Sequence, residues 1–406
     1  MSTDRRAQQK SLARLKHLYV HTSQGFAGIL SRESQLVFGY RTDDAACEIS
    51  LVLPLRAQTY SSNILPGVFR QNLPEGYLLS WMHDHFGKTM KMDDFNLLAL
   101  TGADTIGRVS VSVQEKQVEP VKPEDLGSLL AWKGSESLFD HLAERYASSS
   151  GISGVQPKVL VPATVDEGAK DKDTVERGHL KDRNLIIKAG GAEYEGLAEN
   201  EFHCMTIARQ AGLQVPRFWI SDNKELFVVE RFDIDQKTGQ YLGFEDMTAL
   251  TGRQNQEKYD SSYENVAKAI SLMASPPRKS ASLAAFFKAL VLSVTVGNGD
   301  AHLKNFGLLY TTPQSDDVRL SPLYDIVCTT TYIPKDTLAL KLNRTKAWPT
   351  RDELVAFGKA HCQLDHPVEI IDQIVTAAIE YRPAADPGAI WADMRVEIEK
   401  RARRLQ

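Results

Sequence analysis

The segment Asn298-Gly299-Asp300-Ala301-His302-Leu303-Lys304-Asn305-Phe306-Gly307 sets a carboxylate five residues ahead of a carboxamide, directly after an apolar run. That offset suits phosphoryl transfer, where a carboxylate orients or deprotonates the attacking hydroxyl and an oxygen ligand a few residues on holds Mg²⁺. Leu320-Ser321-Pro322-Leu323-Tyr324-Asp325-Ile326 adds a second carboxylate at the end of an apolar segment, suited to a metal that bridges phosphate oxygens. An isolated Asp-Gly or Asn-Gly pair marks only a turn. The case rests on Asp300, Asn305 and Asp325 filling roles of one mechanism together with a lysine upstream.

That lysine is Lys188, at the end of the apolar run Asn184-Leu185-Ile186-Ile187-Lys188. A cation there reaches nucleotide phosphates, although a lysine at a strand end also serves as an edge gatekeeper. Glu201 falls in the first turn of the expected next helix, where it either pairs with Lys188 or complements the helix dipole. Gly151-Ile152-Ser153-Gly154-Val155-Gln156-Pro157-Lys158 feeds a strand and lets backbone N–H groups approach phosphate, yet it is neither GxGxxG nor a Walker A loop. Ser148, Ser149, Ser150 and Ser153 bring hydroxyls to the same place, which fits self-phosphorylation or a flexible serine-rich linker.

Other chemistries fit less well. There is no GxSxG and no HExxH, and His17, His21, His83 and His85 lack the spacing to share a metal. Cys47, Cys204, Cys328 and Cys362 lie far apart, which argues against zinc and against a disulfide-stapled secreted domain and points to a reducing cytoplasm. Forty-eight Lys+Arg against 52 Asp+Glu leave a net charge of −4, so no global positive field holds nucleic acid and any DNA contact is local or borrowed from a partner. The five tryptophans are dispersed and form no stacking strip. No run approaches the roughly 20 apolar residues of a membrane span, so a soluble, cytoplasmic protein is expected.

The elements that must position these groups follow from periodicity. Leu18 to about Val113 reads as short strands, among them Leu18–His21, Gln35–Tyr40 and Ile49–Leu53, capped by helical segments between Ser61 and Leu100. The basic stretch before Leu18 reads as a solvated helix. Polar breaks at Gln114–Glu124 and Asp166–Arg183 separate units and strands. Val159–Val161, Trp219–Ile220 and Leu226–Glu230 read as strands, and Glu199–Gln210 as a helix stopped by Gly212 and Pro216. Helices follow from Tyr263 to Val296, interrupted at Pro276-Pro277, and from Val355 to Arg404. Strands first and helices after suggest a two-lobed catalytic unit rather than an alternating Rossmann fold.

The chain resembles the HipA family, the toxin kinases of bacterial type II toxin–antitoxin systems. The motifs are Gly154-Val155-Gln156-Pro157-Lys158, Ile186-Ile187-Lys188, Asn200-Glu201-Phe202 with Gly212-Leu213-Gln214-Val215-Pro216, Val229-Glu230-Arg231-Phe232-Asp233, Gly299 to Phe306 and Leu320 to Ile326. The resemblance implies an α+β, two-lobed protein-kinase-like fold, with an N-terminal β-rich subdomain over 1–115, a nucleotide-binding lobe over 116–245 and an all-α catalytic lobe over 246–406. It implies ATP and Mg²⁺, with Asp300 as catalytic base, Asn305 and Asp325 as metal ligands and Lys188 on the phosphates. Ser153, Gly154, Val155, Gln156 and Lys158 would form the phosphate loop. Glu230, Arg231 and Phe232 would lie at the hinge around adenine, and His302, Lys304, Asn305 and Tyr324 would line the nucleotide pocket.

The resemblance further implies phosphorylation of Ser on a protein, an aminoacyl-tRNA synthetase in the best-known cases. It also implies restraint by a HipB-like helix-turn-helix antitoxin that carries the complex to operator DNA. One departure is that Gly151 stands where familiar members have the loop serine. Ser153 is therefore the expected self-phosphorylation site, with Ser150 as the fallback. An ATP-binding co-repressor subunit and a small-molecule phosphotransferase are the alternative readings.

Overall fold

The computed structural model describes residues 15–88, 90–114, 124–132, 142, 145, 150–152, 156, 158–164, 183–190, 194–235, 237–383 and 387–406. The expected basic helix before Leu18, and nearly all of the two polar breaks, lie outside these.

The first sheet has five antiparallel strands in the order Tyr60–Ser62, Leu36–Tyr40, Gly25–Arg32, His17–Thr22 and Val109–Ser112. Leu18, Val20, Ala27, Leu30 and Phe38 are fully buried in it, as alternation along half-buried strands requires. Helices Gly76–Phe86 and Asp94–Thr101 join its core through Leu78, Met82, Phe95 and Leu98. Ile49–Leu53, expected as a strand, forms no ladder. Its polar groups go to side chains instead: the Ile49 amide donates to the Tyr40 hydroxyl at 3.1 Å, and Ser50 Oγ and the Leu51 amide donate to Glu245 at 2.6 and 2.7 Å.

The second sheet runs Phe218–Ile220, Leu226–Glu230, Arg183–Ala189, Lys158–Thr164 and Glu124–Asp125, antiparallel except for its last pair. Val159, Val161, Leu185, Ile187, Phe227 and Val228 are buried on both faces, which is why these strands read as unbroken apolar runs. The helix Leu197–Gln210 packs on the sheet through Cys204, Met205, Ile207 and Ala208. Starting two residues earlier than the spacing suggests, it puts Glu201 in its second turn, so Glu199 is the acidic residue of the first turn.

The C-terminal part is built on the helix Lys279–Val296, surrounded by Tyr263–Met273, Arg351–Cys362, Pro367–Glu380 and Ile390–Leu405. The stretch Pro276–Val296 has the length and mean hydropathy, 1.4, to cross a membrane, yet 67% of its most apolar window is buried among these helices. Being apolar all round, it behaves as a central core helix. This lobe also holds a small antiparallel sheet, Gly243–Asp246, Gly307–Tyr310 and Arg319–Leu320, in an otherwise helical part of the chain. Its strands are two to four residues long, too short to show a period. A parallel two-residue pairing, Asp104 with Ser150 and Thr105 with Gly151, joins the first unit to the start of the glycine loop.

The central helix ends at Gly297 in the left-handed conformation, φ 74°, and turns the chain into the Asn298–Gly307 segment. A Cβ here would lie 2.3 Å from Thr330 Oγ1 and 2.7 Å from Arg401 Nε. At Gly252, φ 69°, it would meet nothing within 4 Å. Left-handed backbone costs an L-residue about 1–2 kcal/mol, and overpacking adds to that. Gly252→Ala is thus expected to cost about 1 kcal/mol and Gly297→Ala about 3 kcal/mol. Thermal unfolding of the two variants checks this, and equal shifts would show that close packing around Gly297 contributes nothing.

Candidate functional site

The loop after Gly297 is held by hydrogen bonds within itself and by one to Thr329. The Asn298 side chain accepts from the Asp300 amide at 3.0 Å, the Gly299 amide donates to Thr329 Oγ1 at 2.7 Å, and Leu303–Asn305 forms one 3₁₀ turn. Within that turn Asn305 Oδ1 accepts from the His302 amide at 3.0 Å, which fixes the carboxamide and leaves its oxygen a second lone pair. Asp300 Oδ1 accepts from the Tyr259 hydroxyl at 2.6 Å. Burial raises the Asp300 carboxyl to about 6; Asp325 and Asp336 add to the rise, while Tyr259 and Lys258 oppose it. His302 is pushed down to about 3, by burial first and by Lys258 and Lys304 next, so its ring is neutral at physiological pH. Its Nδ1 is buried without a partner among the described residues.

Lys188 sits directly opposite Lys158 on the neighbouring strand. Its ammonium is shared between Glu201 and Asp325, the latter at 3.2 Å, with the Tyr324 carbonyl at 3.5 Å. Burial works to neutralise Lys188, but Asp325 and Glu201 outweigh it and raise its pKa. Asp325 shows the reverse balance: burial would raise it, whereas Lys188, Lys158 and His302 hold it at about 2. Glu201 is pushed up to about 7 by burial despite Lys188, and its Oε2 has no partner among the described residues. Of the two roles open to Glu201, the ion pair is the one its place in the helix serves. Burial lowers the Lys158 pKa, with Lys188 adding to the drop, while Asp325 and Glu201 oppose it.

Two lysines side by side on neighbouring strands, both electrostatically coupled to an ionised Asp325, make a setting that the triphosphate of a nucleotide fits. No group of three or more His, Cys, Asp or Glu able to hold a metal is present among the described residues. Asn305 and Asp325 carry side-chain oxygens of the type Mg²⁺ takes, and Mg²⁺ in phosphate sites usually takes one or two such protein ligands.

The remaining expected site residues divide. Phe232 stacks on Tyr324, ring centres 4.7 Å apart at 26°, with Phe244 edge-on at 5.1 Å, giving an aromatic slab beside the hinge strand. The Tyr324 hydroxyl is tied to the Lys304 carbonyl. Gln156 Nε2 reaches the Ala189 carbonyl at 3.3 Å. Glu230 accepts from Arg217 at 3.0 Å. The Arg231 guanidinium, fully buried, turns away from the cleft to Asp233 at 2.7 Å, to Asp104 at 2.7 Å and to the Thr105 carbonyl. The Lys304 ammonium likewise leaves the cleft, donating to the Gln71 carbonyl and to Glu75, both at 3.0 Å. Ser153, Gly154 and Val155 lie outside the described residues, and Ser150 is described only as backbone of the short strand.

Tyr259, Lys258, Asp336 and Glu75 border the site without any signal in spacing or motif. Glu75 bridges Lys304 at 3.0 Å and Lys258 at 3.3 Å, binding the first unit to two segments of the cleft floor.

Comparison with known proteins places this geometry in a family. Residues 18–112 match the HipA N-terminal domain and residues 150–381 the HipA-like C-terminal domain. Among curated proteins, "Putative kinase Y4dM" of Sinorhizobium fredii is 30% identical over 309 residues, covering 72% of this chain and 69% of that protein. "Putative kinase Y4mE" of the same organism is 26% identical over 341 residues, covering 78% of this chain and 77% of that one. Among solved structures, HipA of Shewanella oneidensis, in a complex with HipB and operator DNA, superposes with a TM-score of 0.66 at 20% identity, covering 95% of this chain and 97% of that one. At that identity the likeness is one of fold, and it agrees with the α+β, two-lobed architecture. With more than half of its length matched by the C-terminal domain and its first sheet by the N-terminal one, this chain belongs to the HipA family.

Proposed function

We propose that the chain is the Ser/Thr protein kinase toxin of a HipA-type toxin–antitoxin system, transferring the γ-phosphate of ATP to a protein serine. The observation that carries this is the convergence of Lys188, Glu201 and Asp325 at one end of the cleft, electrostatically coupled to Asp300. Relatives named as kinases support the same reading. Lys188 and Lys158 orient the phosphates, and the Phe232–Tyr324 slab provides an apolar face for the base. Asp300 takes the proton of the acceptor hydroxyl as its oxygen bonds to the γ-phosphorus. Mg²⁺, held through the side-chain oxygens of Asn305 and Asp325, would neutralise charge on the phosphate oxygens.

The acceptor is a protein, an aminoacyl-tRNA synthetase being the class the family suggests, and also the chain itself at Ser153 or, failing that, Ser150. The partner is a HipB-like helix-turn-helix antitoxin through which operator DNA is reached, a reading supported by the HipA–HipB–operator assembly of the Shewanella oneidensis relative. The setting is cytoplasmic. The domain division at 115 and 245 belongs to this reading too.

Three outcomes test it. Asp300→Asn should lower phosphotransfer at least about 100-fold, as loss of a general base does, while calorimetry still detects ATP binding with Mg²⁺; undiminished transfer would mean a differently placed base, and ATP binding with no transfer even by the wild type would favour the co-repressor. In the wild type kcat/KM should rise with pH through about 6 and level off above it, because the carboxylate form of Asp300 is the active one. Lys188→Met should abolish ATP binding and also cost about 3 kcal/mol of stability, since it strands Glu201 and Asp325 without their shared cation; retained nucleotide affinity would remove Lys188 from the site.

A further inference from the structure

The base of a phosphotransferase must be aimed as well as ionised, and the structure shows what aims Asp300. Oδ1 accepts the Tyr259 phenol at 2.6 Å, while Oδ2 is left without a hydrogen bond among the described residues. The phenol is itself fixed. Its ring meets His302 edge-on, centres 5.1 Å apart at 72°, and the ammonium groups of Lys258 and Lys346 lie 5.5 and 5.9 Å from the ring centre. Lys346 also donates to the Tyr259 carbonyl at 3.4 Å, and the Lys258 carbonyl accepts from the Leu303 amide at 3.1 Å. Tyr259 nevertheless keeps 40% of its surface exposed, so its contact with Asp300 lies at the protein surface.

We infer that Tyr259 is a positioning residue for the transfer step, its O–H pinning Asp300 Oδ1 so that Oδ2 is presented to the incoming hydroxyl. This rests on the kinase reading of Asp300. The acceptor O–H proton passes to Oδ2, the acceptor oxygen bonds to the γ-phosphorus, the bond from that phosphorus to the β,γ-bridging oxygen breaks, and ADP departs. The phenol takes no proton from the acceptor and loses none: burial, then the adjoining Asp300, raises its pKa far above the ordinary value and keeps it a donor. A surface tyrosine that merely satisfied the nearest carboxylate would show the same bond but would carry no part of the rate.

The groups facing Asp300 settle the direction of the test. Lys258 and Tyr259 favour its carboxylate, whereas Asp325 and Asp336 oppose it, and Tyr263 lies near it from the Tyr263–Met273 helix. Removing the phenol takes away a stabilising donor, so the carboxyl should protonate about one pH unit higher.

Wild type, Tyr259→Phe and Asp300→Asn are compared in ATP/Mg²⁺ transfer to dephosphorylated casein and to the chain itself at pH 6.5 and pH 9, with ATP affinity by calorimetry. For Tyr259→Phe, transfer about 10- to 100-fold slower at pH 6.5, a deficit that narrows at pH 9, and unchanged ATP affinity are expected. Rates within twofold of wild type at both pH values, or ATP affinity falling in step with the rate, would overturn the assignment. If wild type and Asp300→Asn transfer equally, the kinase reading itself fails. A ¹³C carboxyl titration of Asp300 then decides the contact alone: an upward shift in Tyr259→Phe upholds it, and superimposable curves refute it.

Discussion

The site depends on one buried ammonium group. Lys188 follows the buried apolar residues Leu185, Ile186 and Ile187 of its strand, where an unpaired cation would cost several kcal/mol of desolvation. It remains charged because Glu201, from the helix packed on that sheet, and Asp325, from the segment after the small C-terminal sheet, both reach it. Each partner needs the lysine as much as the lysine needs them: burial pushes Glu201 up to about 7 despite Lys188, while Lys188 and Lys158 overcome burial and hold Asp325 at about 2. Three elements from two lobes are thereby located by a single charge. The cleft exists where that charge is shared.

The N-terminal unit is a brace for this arrangement rather than an appendage. Arg231, at the end of the hinge strand, is buried only because Asp104 and the Thr105 carbonyl of the first unit complete its bonding with Asp233. The same two residues pair with Ser150 and Gly151, so the joint that fills the guanidinium also fixes where the glycine loop begins. Glu75 fixes the floor of the cleft from the other side by bridging Lys258 and Lys304. Glu245 adds a third tie, a buried carboxylate that accepts from Ser50, the Leu51 amide and Tyr310. Hydrogen bonds that satisfy buried polar groups across a joint make it costly to open, because separating the units would strand each partner.

What could be read from the chain alone follows the range of the forces involved. Strands buried on both faces announce themselves as apolar runs, so Lys158–Thr164, Arg183–Ala189 and Leu226–Glu230 were legible, and with them the place of Lys188. Asp300 and Asn305 stand out in the sequence because they share one short loop, and the electrostatic coupling of Asp300 to Asp325 links that loop to the second carboxylate. Ile49–Leu53 misled, since its apolar residues are core while its backbone is satisfied by Tyr40 and Glu245, the latter almost two hundred residues away. Arg231 and Lys304 sit in recognisable motifs, but the partners that turn them from the cleft, Asp104 and Glu75, carry no local pattern. Tyr259 was invisible for the same reason: its hydrogen bond to Asp300 joins residues 41 positions apart.

Two aspartates in one cleft are driven to opposite ionisation behaviour, and the division of work proposed for them follows that separation. Asp325 stands next to Lys188 and Lys158 and is ionised under all ordinary conditions, which suits a group that must hold cations and never a proton. Asp300 is buried with only Tyr259 and the more distant Lys258 on its side, and Asp325 itself pushes it upward to about 6. A carboxyl there is mostly ionised at neutral pH yet basic enough to accept a proton, the balance a general base requires. The two values are not independent. The lysines that lower Asp325 keep its negative charge in place, and that standing charge is part of what makes the Asp300 carboxylate more basic than that of an exposed aspartate, so the proposed phosphate-binding and proton-accepting ends of the cleft would be set by the same cluster.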